Sequence, residues 1–139
     1  MNIDTLMNTQ LITAAAQATL DGGTPFPTIV AQLIEAGVES YQVDYLSLRK
    51  TFYSGNGATV STPLTIEGLP RVAAEFDAPA LRANILDSQQ NGQHFRAFTL
   101  RAMEAGVQGY IAFLRGKRVT YFGRQGDQHT EWFPGTSAP

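Results

Sequence analysis

The chain says one thing twice. EAGVESY at Glu35–Tyr41 returns as EAGVQGY at Glu104–Tyr110, 69 residues further on, with five of seven letters in place. Laid over Phe95–Gly126 without a gap, Phe26–Gly57 matches at nine of 32 positions, where random matching gives roughly two. Phe26/Phe95, Glu35/Glu104, Gly37/Gly106, Tyr41/Tyr110, Arg49/Arg118 and Gly57/Gly126 are among them. Upstream, Ile12, Ala14 and Gly23 meet Leu81, Ala83 and Gly92 at the same offset. Internal duplication is the leading explanation, and reuse of a common helix-stop phrase is the competing one. Duplication is a severe constraint, because one copy is too small to hold itself together and two must share a core.

Each copy reads as helix, helix, then three strands. Ile3, Leu6, Met7 and Leu11 recur at helical spacing, and Asp21-Gly22-Gly23 ends the segment. Its counterpart runs from Ala80 to Gln90 with Leu81, Ile85 and Leu86, and stops at Asn91-Gly92. For the second helix, Thr24 is the expected N-cap and Pro25 the first helical residue, where a missing N–H costs nothing. Phe26, Ile29, Val30, Leu33 and Ile34 make one apolar stripe, as Phe95, Phe98, Ala102 and Met103 do in the other copy. Gly37 and Gly106 fall where the chain turns left-handed, and Val38 where a Schellman motif returns an apolar contact to Leu33.

Strands are expected at Tyr41–Tyr45, Arg49–Tyr53 and Ala58–Thr62, and again at Tyr110–Leu114, Lys117–Phe122 and Gln128–Phe133. Arg115-Gly116 suits a tight hairpin turn. Ile66–Phe76 joins the copies, with Val72 and Phe76 docking a short helix. The fold class is therefore α+β: a duplicated helix-helix-meander unit, with an antiparallel sheet carrying four helices on one face. It forms a single domain over 1–139 with pseudo-symmetric halves at about 1–66 and 71–134.

Composition narrows the function classes. A net charge of −2 argues against a general nucleic-acid binder, although Arg115, Lys117, Arg118 and Arg124 could form a local patch. The absence of cysteine removes disulfides, thiolate metal sites and a thiol nucleophile. MNIDTLMNTQ lacks the basic and apolar regions of a signal peptide, and runs such as YIAFL are too short to span a bilayer. A cytoplasmic location, no membrane partner, a possible homodimer and a frayed GTSAP tail are the expectations.

AGVESYQVD, TFYSGNG, AGVQGY and the closing YFGRQGDQHTEWFP resemble the YbcV-like family of bacterial and phage proteins, often labelled phage envelope proteins. The resemblance runs from about Phe26 to Pro134. It implies no activity and no catalytic residues. The envelope label fits poorly with a sequence that shows no span, signal or anchor.

No phosphate-loop, nucleophile-elbow, zincin or dinucleotide motif is present, and Gly55-Asn56-Gly57 reads as a turn. The most chemical constellation is His129-Thr130-Glu131, which on a strand puts His129 and Glu131 on one face. The carboxylate could orient the imidazole as a base. A metal would need a third ligand such as His94 or Asp44, so no metal or cofactor is expected. Asp44 breaks the repeat, standing where the other copy has Phe113. Arg124 in its turn and Tyr121 beside it complete the candidate ligand-binding set. Aromatic residues on strands can stack bases or sugars but more often fill cores, so the exposure of Tyr121 and Trp132 matters. Glu35 with Arg49, and Glu104 with Arg118, are candidate ion pairs that require near-contact.

The missing motifs favour a noncatalytic binding or protein-interaction module over an enzyme. The alternative is a small-molecule binder or small enzyme with a polar cleft between the halves, around His129 and Glu131. A third reading, a phage structural component, rests on the resemblance alone. A deep pocket lined by two or more of His129, Glu131, Asp44 and Arg124 would favour the second; a flat apolar patch would favour the first.

Overall fold

The computed structural model describes residues 7–136. Its elements run α1 (Thr9–Asp21), α2 (Phe26–Glu35), β1 (Ser40–Asp44), β2 (Arg49–Tyr53), β3 (Thr59–Pro63), α3 (Ala78–Asn91), α4 (Phe95–Glu104), β4 (Val107–Phe113), β5 (Arg118–Gly123) and β6 (Gln128–Trp132). The helix-helix-three-strand unit thus occurs twice. Ile3 and Leu6, and the tail from Ser137, lie outside the described residues.

The strands form one antiparallel sheet in the order β3-β2-β1-β4-β5-β6. Its register obeys the repeat. Val43 faces Lys50 as Ala112 faces Val119, and Phe52 faces Val60 as Tyr121 faces His129. The halves meet at β1 and β4, where Tyr41 pairs with Ala112, Gln42 with Ile111 and Val43 with Tyr110. Gln42 and Ile111 are equivalent positions, so a pseudo-twofold axis passes between them.

Alternation along the strands divides the sheet. Tyr41, Val43, Phe52, Tyr110, Ala112, Val119 and Tyr121 are buried on one face, in a core with Ile12, Ile29 and Leu33 of the first helix pair and Leu81, Ala102 and Met103 of the second. Fully burying a side chain the size of Phe52 or Leu33 contributes about 1.5–3 kcal/mol. The other face carries Gln42, Thr51, Tyr53, Ile111, Phe113, Thr120 and Phe122, none of them fully buried.

Local chemistry accounts for the helix ends. Asn8 caps α1 by accepting from the Leu11 N–H at 3.0 Å, and its counterpart Asp77 caps α3 through the Ala80 N–H at 3.0 Å. Their own N–H groups donate to Ala36 and Ala105, at 2.9 and 2.8 Å, tying each first helix to the end of the second. At the C-terminus of α2, Gly37 donates to Ile34 and Val38 to Leu33, the paired bonds of a Schellman motif. Gly37 and Gly106 both have φ of 90°.

The structure corrects several expectations. The α2 cap falls on Pro25, one residue later than Thr24, and has no side-chain cap bond. In the β4–β5 turn the left-handed residue is Lys117 (φ 55°), matched by Leu48 (φ 56°) in the first copy, and Arg115-Gly116 only precedes it. The linker forms no helix around Val72 and Phe76. It is held as irregular chain, bent at Ala74 and Glu75, by backbone bonds from Ala73 to Met103 and from Asp77 to Ala105, and by the Arg124 and Gln125 side chains. The pairs Glu35–Arg49 and Glu104–Arg118 do not form: Arg49 donates to Ser61 at 2.9 Å, and Arg118 stacks 4.8 Å over Trp132. Both arginines leave the open face of the sheet, whereas the glutamates end helices on the other.

Gly106 and Gly126 separate two effects. Both have φ near 90°, but a Cβ at Gly126 would meet nothing, whereas at Gly106 it would run into the Glu75 carbonyl of the linker. Gly126→Ala is expected to cost about 1 kcal/mol from the left-handed backbone alone. Gly106→Ala should cost at least twice as much in urea denaturation, and equal losses would contradict the close approach.

Candidate functional site

The β2 sequence RKTFY puts Arg49 and Lys50 on adjacent positions, so they point to opposite faces. Phe52 packs in the core, and Lys50 shares its face. Lys50 is 3% exposed. Its Nζ lies 4.6 Å from the centre of the Tyr41 ring, 5.4 Å from Phe52 and 5.7 Å from Phe95. Among the described residues no carboxylate pairs with it; the ion pairs found are Arg101–Asp87 and Arg115–Glu39, and Glu131 is engaged by His129. Burial lowers its pKa from 10.5 to about 8. The ring faces recover part of that penalty, since cation–π contacts contribute about 0.5–2 kcal/mol.

The ammonium borders a cavity of about 810 Å³ between the sheet and the helix pairs. Tyr41, Lys50, Tyr110, Val119 and Tyr121 form its sheet side; Ile29, Ile85, Phe95 and Phe98 are the helix walls. Two equivalent loops border it, the α1–α2 loop with Gly22, Gly23 and Thr24 and the α3–α4 loop with Gly92, Gln93 and His94. They touch across the cavity: a Cβ on Gly22 would strike the His94 ring. Glu131, Trp132, Phe133 and Pro134 complete the border. A smaller cavity of about 270 Å³ beside Thr65, Ile66 and Arg96 has its cation turned to the Glu67 carbonyl at 3.2 Å.

The tyrosines interlock. Tyr110 lies 6.4 Å from Tyr41 and 5.2 Å from Tyr121, ring centre to ring centre. Burial pushes all three phenols above their ordinary range, so their hydroxyls stay protonated and can donate. His129 stacks on Tyr121 at 6.5 Å, and its Nε2 is 3.0 Å from Glu131 Oε2. An ionised carboxylate only accepts, so the imidazole donates.

The five residues picked out by sequence therefore divide. Glu131 and Tyr121 line the cavity, and His129 contacts both. Of His129, Glu131, Asp44 and Arg124, Glu131 alone is on the lining, so the expected pocket with two of them is not formed. Asp44 points to the opposite face and caps its own turn, accepting from the Leu46 and Ser47 N–H groups at 2.8 and 3.2 Å. Arg124 donates to the Val72 carbonyl at 3.2 Å, fastening the linker. Tyr121 is buried, so it is no open stacking platform. No group of three metal-binding side chains occurs among the described residues. Lys50, the buried cation on the cavity wall, escaped the sequence reading. Two signals could have found it: its neighbour Arg49 forces one cation inward, and its repeat partner is the apolar Val119.

The chain belongs to a family of proteins of unknown function, DUF1398, whose family model matches residues 26–131. No curated protein matches it.

A depressed lysine pKa lowers stability while the amine is charged. Below pH 8 both folded and unfolded chains carry the proton, and the whole penalty applies. Between 8 and 10.5 the unfolded chain binds more protons, so stability rises with pH. The shift corresponds to about 3 kcal/mol. Lys50→Met is therefore expected to be more stable than wild type at pH 7 by a few kcal/mol, with the gap closing as pH approaches 10. The buried tyrosines oppose the rise above their normal range, so denaturation of the two proteins is compared between pH 7 and 9.5. A Lys50→Met protein that is less stable at pH 7 would contradict the uncompensated charge.

Proposed function

We propose that this protein binds a small molecule with an apolar or aromatic body and one anionic group. The observation that carries this is a buried ammonium, without a protein counter-charge, facing a cavity of small-ligand size. A charge in such a place is destabilising unless something pairs with it. A ligand carboxylate supplies the missing partner, the phenol hydroxyls can donate to it, and the Phe and Tyr walls cover the ligand's apolar surface. Glu131 at the border disfavours a second negative charge, so a monoanion entering acid-end first fits best. The reading calls for no catalytic step, and it agrees with a YbcV-like resemblance that implies none.

A second reading, the protein-interaction module, draws on the sheet's uncovered face. Tyr53, Ile111, Phe113 and Phe122 lie there without helices over them, with Phe113 36% exposed. No helix among the described residues is long and apolar enough to cross a membrane. The phage-structural role rests on the resemblance alone.

The binding reading is tested with matched ligands. 2-Naphthoate is expected to raise the melting temperature more than 2-naphthalenemethanol does, and calorimetry should show at least tenfold tighter binding of the acid. That is the scale of one charge-assisted hydrogen bond, about 1.4 kcal/mol. The preference should vanish in Lys50→Met and weaken above pH 8, as the amine loses its proton. Equal binding of acid and alcohol by wild type would refute the counter-charge role.

A further inference from the structure

Lys50 is held by ring faces and by no carboxylate or hydrogen-bond acceptor among the described residues, so its ammonium has only weak support in the charged form. No carboxylate and no hydrogen bond among the described residues anchors Nζ, which is surrounded by ring faces and opens onto the cavity. We infer that Lys50 is a nucleophile that condenses reversibly with an apolar or aromatic aldehyde in the cavity, forming an imine. The inference rests on the cavity reading above and adds a covalent step to it.

The chemistry balances without an oxidant or reductant. The neutral amine's lone pair attacks the carbonyl carbon, a C–N bond forms, and the carbonyl oxygen takes up a proton. The resulting carbinolamine loses its hydroxyl as water, the nitrogen gives up its remaining proton, and amine plus aldehyde have become imine plus water. Hydrolysis reverses each step. With a pKa of about 8, roughly one Lys50 side chain in ten is neutral at pH 7, against about one in 3,000 for an unperturbed lysine. A protonated imine is again a cation among ring faces, held as the ammonium was. Glu131, on the cavity wall and 3.0 Å from His129, is a carboxylate with which a group bound there could exchange protons.

The chain supplies its own control. It contains two lysines, and Lys117 is exposed on the β4–β5 turn. Wild-type protein is treated with 2-naphthaldehyde and sodium cyanoborohydride at pH 7, which reduces any imine to a stable secondary amine, and peptides are read by mass spectrometry. The expected result is one naphthylmethyl group on Lys50, at least tenfold over Lys117 and the N-terminal amine. Lys50→Met should show no selective label. Lys117→Met, at an exposed turn residue outside the cavity, should keep the Lys50 label in full. Labelling that follows exposure, with Lys117 at or above Lys50, overturns the imine. If naphthoate still stabilises wild type and not Lys50→Met, the binding reading survives that result. If naphthoate also fails to distinguish the two proteins, both fall together.

Discussion

Everything in this fold depends on the antiparallel pairing of β1 with β4. Each half offers two helices and a three-stranded meander, which is marginal alone. Pairing Tyr41 with Ala112 and Val43 with Tyr110 makes one six-stranded sheet and one core from two half-cores. It also builds the cavity, because Tyr41 and Tyr110 sit beside the axis and the two helix-connecting loops meet across it. Neither half contains the site. Loosening the strand pair would open the cavity and split the core together.

Against that shared core stands a cation that works to weaken it. Lys50 lowers stability by about 3 kcal/mol through its pKa shift, a sizeable part of the 5–15 kcal/mol that holds a typical domain together. A leucine or methionine at that position would suit the aromatic surroundings better. Strain of this kind is the recurring signature of sites where function competes with stability. Three protonated tyrosines and Glu131 border the same space, with His129 packed against Tyr121 and Glu131, so the buried charge lies among polar groups as well as rings.

Much of the architecture was legible from residues alone, and for identifiable reasons. The repeat set the symmetry. The stop at Gly37 and Gly106 depends on one backbone conformation that glycine adopts without steric cost, so it could be read locally. The linker could not. Val72 and Phe76 are spaced as a short helix would space them, yet the adjacent Ala73 and Asp77 N–H groups donate to Met103 and Ala105, and the Val72 and Ala74 carbonyls accept from Arg124 and Gln125, contacts about 30 to 50 residues distant. The site shows the same divide. His129 and Glu131 could be placed on one face from their spacing, and Tyr121 beside them, but Asp44 was drawn into its own turn by the N–H groups of Leu46 and Ser47. Lys50 was hidden because a charged strand residue is ordinarily read as solvent-facing. Only the partner strand decides which of Arg49 and Lys50 turns inward.

The asymmetry at Lys50 and Val119 has a consequence for how such a site can arise. A homodimer of identical half-chains would place the same side chain on both sides of the axis. Two ammonium groups facing one chamber would repel each other, and two valines would leave it without a cation. Joining the halves in one polypeptide frees the two positions to differ. The chamber can then carry an ammonium on one flank and, beside Val119, the Glu131 carboxylate on the other, so its two sides differ in charge within a frame that is otherwise symmetric.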